Sequence, residues 1–295
     1  MKRKYFDRNL FVEGLSQIKM AGTILFIISF LGSLLVPFSR WFKIIEYQRQ
    51  GISVTNLLRP VRITEIAPII IPFIYVAPFI FCFILFAFLN KRNSSDFYHS
   101  LSCRRITIFN SFTASAMLWI AATVIICVST SGIVYQLLGI HVYFSYIIWL
   151  IGTFIAGALL VFSCMLLAMS ATGTTFTNIV LFGLIFFLPR FIFLMFGKAL
   201  TSAVNILIIK DTNIVNYSNN IPIKFIFRFI LNDNSTNSNQ LYSSLSAIVY
   251  TLIIAVIYFC LAGIIFNKRK SEAAGSSAPN SILQHVYRCV VTLPV

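Results

Sequence analysis

Six uninterrupted apolar runs, at about residues 20–38, 67–89, 111–138, 143–168, 176–197 and 245–266, constrain this chain more than any other feature. Each is near or above the roughly 20 residues that an α-helix needs to cross the hydrocarbon layer of a bilayer. No water is available in that layer, so every backbone N–H and C=O must be bonded within the spanning element. Stretches of β-branched residues such as Ile69-Ile70-Ile71 and Ile125-Ile126 are therefore expected to be helical. An outer-membrane barrel is excluded, because its strands alternate apolar and polar residues and these runs are continuous. The fold class that follows is all-α, a polytopic membrane protein with six transmembrane helices.

Composition agrees. Apolar residues make up 58% of the 295, charged residues 11%, and mean hydropathy is +0.88. A soluble domain carries about 25% charged residues, and this chain could not cover a water-exposed surface. The net charge of +15 does not mark a nucleic-acid partner. The basic residues form no single face or tail; they cluster at the ends of apolar runs, where they meet lipid headgroups and set topology. With the N-terminus inside, inner segments hold thirteen Lys and Arg and outer segments nine. The bias is small and favours a cytosolic N-terminus in the cell membrane. The first run, beginning near Met20, has no small-residue cleavage site behind it and reads as a retained span.

Chemistry-bearing residues are sparse. Cys82, Cys103, Cys127, Cys164, Cys260 and Cys289 include no C-x-x-C pair and read as small apolar fillers. His99, His141 and His285 are not spaced with one another or with carboxylates as metal ligands. None of the eight acidic residues lies well within a span, whereas an ion-coupled carrier or intramembrane protease needs ionisable groups there. Arg190, after Pro189 in the fifth run, is the one intramembrane charge. It reads either as a side chain snorkelling to the outer surface or as an anion contact on a transport path. No catalytic residue, metal site or cofactor is expected.

Between and beside the runs, four segments have their own character. Phe6 to Lys19 places Phe6, Leu10, Phe11, Leu15 and Ile18 at helical spacing and reads as an amphipathic helix in the membrane surface, preceding the first span. Residues 39–66 read as a loop with Trp41 and Phe42 near the membrane surface. Pro68, Pro72 and Pro78 should kink the second span or delay its start. Residues 198–244 are polar and Asn/Ser-rich in part, with an apolar opening, Ala199 to Ile209, able to dip into the membrane.

The loop after the second run reads Asp96-Phe97-Tyr98-His99-Ser100-Leu101-Ser102-Cys103-Arg104-Arg105. Ser95 is placed to cap a short helix there, with Asp96 at its start and Arg104 and Arg105 at its end. Phe97, Tyr98 and Leu101 would share one side, a surface on which another protein could dock. The run Asp96 to Leu101, followed by Arg105, Phe109 and Ser111, resembles the signature D-x-Y-H-S-L-P-[IV]-x-R-x-x-L-F-x-S of bacterial ABC transporter permeases of the type-2 exporter class. It departs at Ser102, where that family has Pro, and at Cys103 and Ile108. Arg269-Lys270-Ser271-Glu272-Ala273-Ala274-Gly275 resembles the R-x-S-E-x-A-G segment that follows the sixth span in the same permeases.

The resemblance implies a six-helix permease with an interfacial N-terminal helix and a cytosolic coupling helix between spans two and three. It implies pairing with a second permease and with cytosolic ABC ATPase subunits, and short external helices between spans five and six. The sequence holds no G-x-x-x-x-G-K-[ST] phosphate loop, so ATP hydrolysis is expected on a partner. The docking residues would be Asp96, Phe97, Tyr98, His99, Ser100, Leu101, Arg104, Arg105 and Phe109, and the cargo amphiphilic or hydrophobic: lipid-like, a drug or a peptide antibiotic. The rival readings are a non-transporting membrane sensor or immunity protein, and an ion-coupled carrier. After Gly275 the chain turns apolar again, and Cys289 to Val295 reads as the opening of a seventh span cut short.

Overall fold

The structure, a computed structural model, describes residues 5–50, 63–100, 103–140, 142–203, 220–223, 226, 245–269 and 275. The elements are α1 (Arg8–Arg49), α2 (Ile63–Phe86) continued by a 3-10 turn (Ala87–Asn90), α3 (Arg92–Ser100), α4 (Arg105–Leu137), α5 (Phe144–Ala171), α6 (Thr175–Ala203) and α7 (Leu245–Lys268). Among the described residues no strand is present. All of these helices but α3 are long and apolar enough to cross a membrane, six in number, as the apolar runs require.

α1 departs from expectation. It is one unbroken helix of 42 residues, about 63 Å at 1.5 Å per residue, well beyond a bilayer's ~40–45 Å. The segment Phe6–Lys19 and the first apolar run thus belong mostly to a single helix, with no break between them. Asp7 caps it, accepting from the Asn9 N–H at 2.8 Å. One reason the helix does not divide is its buried stripe: Gly14, Ile18, Gly22, Ser29, Ser33, Pro37, Arg40 and Ile44 recur at three-, four- and seven-residue steps along its whole length. Gly14 and Gly22 let α4 approach, since a Cβ at Gly14 would stand 2.5 Å from Ser115 Oγ and one at Gly22 would strike the Trp119 indole. The expected loop over 39–66 is helical at both ends. Trp41 and Phe42 lie within α1, and α2 takes in Pro68, Pro72 and Pro78 without a late start.

α5 lies at the centre, packed against α2, α4, α6 and α7. Its buried hydroxyls are satisfied within the helix, Ser163 and Ser170 donating to the carbonyls of Leu160 and Leu166 at 2.9 and 2.7 Å. α6 is peripheral, with Phe176, Phe187, Phe191, Ile192, Met195 and Phe196 exposed, as a lipid-facing helix would be. The long helices alternate in direction. One end of the bundle gathers the starts of α1, α4 and α6 and the last turns of α2, α5 and α7: Asp7 N–H donates to Ser111 Oγ at 3.1 Å, and Asn178 on α6 donates to Asn90 after α2 at 3.1 Å.

From the opposite end, residues 220–223 enter the bundle. Asn220, Ile221 and Ile223 are buried. Ile221 N–H donates to Thr251 Oγ1 on α7 at 3.2 Å, and the Tyr75 hydroxyl of α2 donates to the Pro222 carbonyl. They lie against Gly157, midway along α5, where an added methyl would make only ordinary contact with Ile221, at 3.5 Å. Backbone outside the long helices is tolerated at such depth only when enclosed by protein. Most of the rest of 198–244, and residues 276–295 with the expected seventh span, lie outside the described residues.

Candidate docking helix and the bundle end behind it

α3 carries the run Asp96 to Ser100, but it is set differently from the sequence expectation. It starts at Arg92, so Ser95 is inside the helix rather than capping it. The Ser95 N–H donates to the Lys91 carbonyl at 2.9 Å, and its hydroxyl is buried with no partner among the described residues. Arg104 and Arg105 do not close α3: Arg104 is the N-cap position of α4 and Arg105 its first residue. The two aromatic residues part company, as neighbours on a helix stand about 100° apart. Phe97 is 62% exposed, beside exposed Asp96 and Ser100. Tyr98 turns inward, its ring 4.3 Å from that of Phe88 and its hydroxyl accepting from Gln17 Nε2 on α1 at 3.2 Å. The His99 side chain, Leu101 and Ser102 lie outside the described residues.

Behind Tyr98 stands an aromatic cluster. Phe88 and Phe112 both contact Tyr98, and Phe88 and Phe86 meet the Phe266 ring of α7 edge-on at 6.4 and 6.1 Å. Phe109, expected on the docking surface, is fully buried here between Phe86, Phe259 and Phe266. Its position one turn inside α4 turns it toward α7, so it supports the surface from within. Edge-to-face pairs of this kind contribute about 0.5–1.5 kcal/mol each beyond their burial.

Directly below the cluster is a polar knot that the apolar pattern did not announce. Arg269, the first residue after α7, is 7% exposed. Its guanidinium donates to the carbonyls of Met169 at 2.5 Å and Ser170 at 3.3 Å, in the last turn of α5, and of Leu89 at 2.7 Å, in the turn ending α2. The final carbonyls of a helix have no partner within it and sit at the negative end of its dipole. A planar cation with five donors is suited to closing two such ends together. Burial pushes the Arg269 guanidinium down to about 10, so it is charged at neutral pH. The Arg269 carbonyl in turn accepts from the Arg105 guanidinium. Beside it Thr172 bonds to Asn178, Asn178 to Asn90, and the Gly275 N–H donates to the Gly173 carbonyl at 2.9 Å, Gly275 having φ +86°. The first and last residues of the Arg269–Gly275 segment thus both dock on the end of α5. Sequence reasoning used Arg269 only as a topological charge and a motif letter. The signal available was a cation placed where an apolar run stops.

Arg190 is half-buried on α6, about 22 Å along the helix from Thr175, far from the knot. Among the described residues no group of three His, Cys, Asp or Glu is placed to hold a metal. No family model, curated protein or solved structure matches this chain.

Proposed function

We propose that this chain is the membrane-spanning permease subunit of an ATP-binding-cassette exporter, with α3 as its coupling helix. The observation that carries the reading is where the Asp96–Leu101 run falls. It begins on a separate nine-residue helix between two long apolar helices, presenting Phe97, Asp96 and Ser100 outward while Tyr98 roots the helix in the bundle. A chain without a phosphate loop needs energy delivered by contact, and an exposed aromatic on a rooted helix is suited to receive it. ATP hydrolysis belongs on a cytosolic partner, a second permease completes the transport path, and the N-terminus is cytosolic. The start of α1 lies at the inner membrane boundary. Alternating access moves an amphiphilic or hydrophobic cargo between the helices. The burial of residues 220–223 against α2, α5 and α7 supports a path closed on the outer side.

The test is co-purification of the full chain with ABC ATPases of the same cell, produced one at a time beside it. Phe97→Ala should weaken that association at least tenfold, since truncating a central aromatic anchor costs on the order of 2 kcal/mol, while leaving the chain folded. Tyr98→Ala is the wrong probe, because it removes packing as well as contact. ATPase binding unchanged by Phe97→Ala would sink the assignment.

A further inference from the structure

The geometry points to Arg269 as the latch that holds one mouth of this bundle shut, and to Tyr98 as the lever on that latch. Three lines of placement meet here. First, Arg269 joins the ends of α2 and α5 through the carbonyls of Leu89, Met169 and Ser170. It directly follows the last residue of α7, and Arg105 ties its carbonyl to the start of α4. One buried residue therefore sits between four helices, and nothing apolar can replace its donors to the unpaired carbonyls. Second, the clamp lies over a seam. Cys82 on α2, fully buried, has its Sγ 3.5 Å from Met169 Sδ on α5, roughly two turns in from Leu89. Parting α2 from α5 at this end exposes Cys82. Third, α3 reaches the clamp by a short route. The Tyr98 ring packs at a tilt against that of Phe88, and Phe88 immediately precedes the Leu89 carbonyl that Arg269 holds. Phe88 also meets Phe266, three residues before Arg269 on α7. A displacement of α3 pulls on Phe88 and so on the bond that closes the seam. Arg269 is thus a positioning residue acting through helix ends.

The latch rests on the transport reading only for what passes through the opened mouth; the mouth and its lever are testable on the chain alone. The full-length protein in lipid nanodiscs is treated with a small methanethiosulfonate reagent, and the rate of modification at Cys82 is read by peptide mass spectrometry. Wild-type Cys82 should be protected. Arg269→Gln should react at least tenfold faster, and Arg269→Lys, which keeps the charge with fewer donors, at an intermediate rate. If Arg269→Gln does not fold, Arg269→Lys carries the test, with at least a threefold increase. The lever is read from a double variant: Tyr98→Ala should expose Cys82 on its own, and Tyr98→Ala with Arg269→Gln should react no faster than Arg269→Gln. A fixed structural bolt predicts rates that multiply, and that result, or unchanged Cys82 protection in a folded Arg269 variant, would overturn the inference. Loss of Cys82 protection without any ATPase co-purification would leave the latch standing and remove the exporter reading. Retained co-purification with Cys82 unmoved would do the reverse.

Discussion

At the scale of single residues, position within an element decided roles that residue type left open. Ser95 is the sharpest instance. A serine before Asp96 and an aromatic pair has the form of a helix N-cap, and losing such a cap costs about 1 kcal/mol. With α3 starting at Arg92, the hydroxyl is instead buried and without a partner among the described residues. Ser95→Ala should therefore leave stability unchanged within about 0.5 kcal/mol, or raise it, because no bond is lost and a desolvated hydroxyl is removed. Thermal unfolding in detergent checks this, and a clear drop in the midpoint would restore the capping role. Arg105 shows the same lesson in reverse. It has the form of a C-terminal charge for α3, and it serves as the first residue of α4, bonded to the carbonyl of Arg269 164 positions away.

At the scale of elements, the helices themselves were legible and their ends were not. Apolar runs set where a chain must be helical in a bilayer; they do not say how far a helix continues once it leaves. α1 continues past both ends of its run because its stripe from Gly14 to Ile44 has partners throughout. Gly14 meets Phe112 and Ser115 on α4, so the first turns stand against α4 and are not a separate surface element. Gly14→Cys with Ser115→Cys brings two Cβ atoms to roughly disulfide range. Mild oxidation should cross-link them, giving a mobility change absent in either single variant. An N-terminal segment lying apart from α4 would give no cross-link and free reaction of both thiols.

At the scale of the whole molecule, alternation of the six long helices puts the start of α1, α3 and the end of α7 at one end, and the α4–α5 turn at Gly139 at the other. Two exposed positions report on this independently of which side is the cytosol. Asn93→Cys on α3 and Leu137→Cys at the end of α4, where Leu137 is 80% exposed, should be modified by an impermeant thiol reagent from opposite sides of sealed vesicles. Labelling of both from one side would break the six-crossing arrangement.

Sequence alone determined the class, the number of long helices and the presence of a short helix between the second and third runs. Those follow from a local rule, since a bilayer requires each spanning segment to satisfy its own backbone, and run length is visible residue by residue. It also located Phe97 on that helix. Which aromatic faces out, that Phe109 is buried, that residues 220–223 enter the bundle and that Arg269 closes it were decided only by the tertiary structure. Each depends on groups far apart in the chain: Phe109 is covered by Phe86 and Phe266, Pro222 is held by Tyr75, and Arg269 bonds residues 99, 100 and 180 positions away. No periodicity encodes such partners, because carbonyls left over at one helix end carry no sequence mark until another element supplies the cation that meets them.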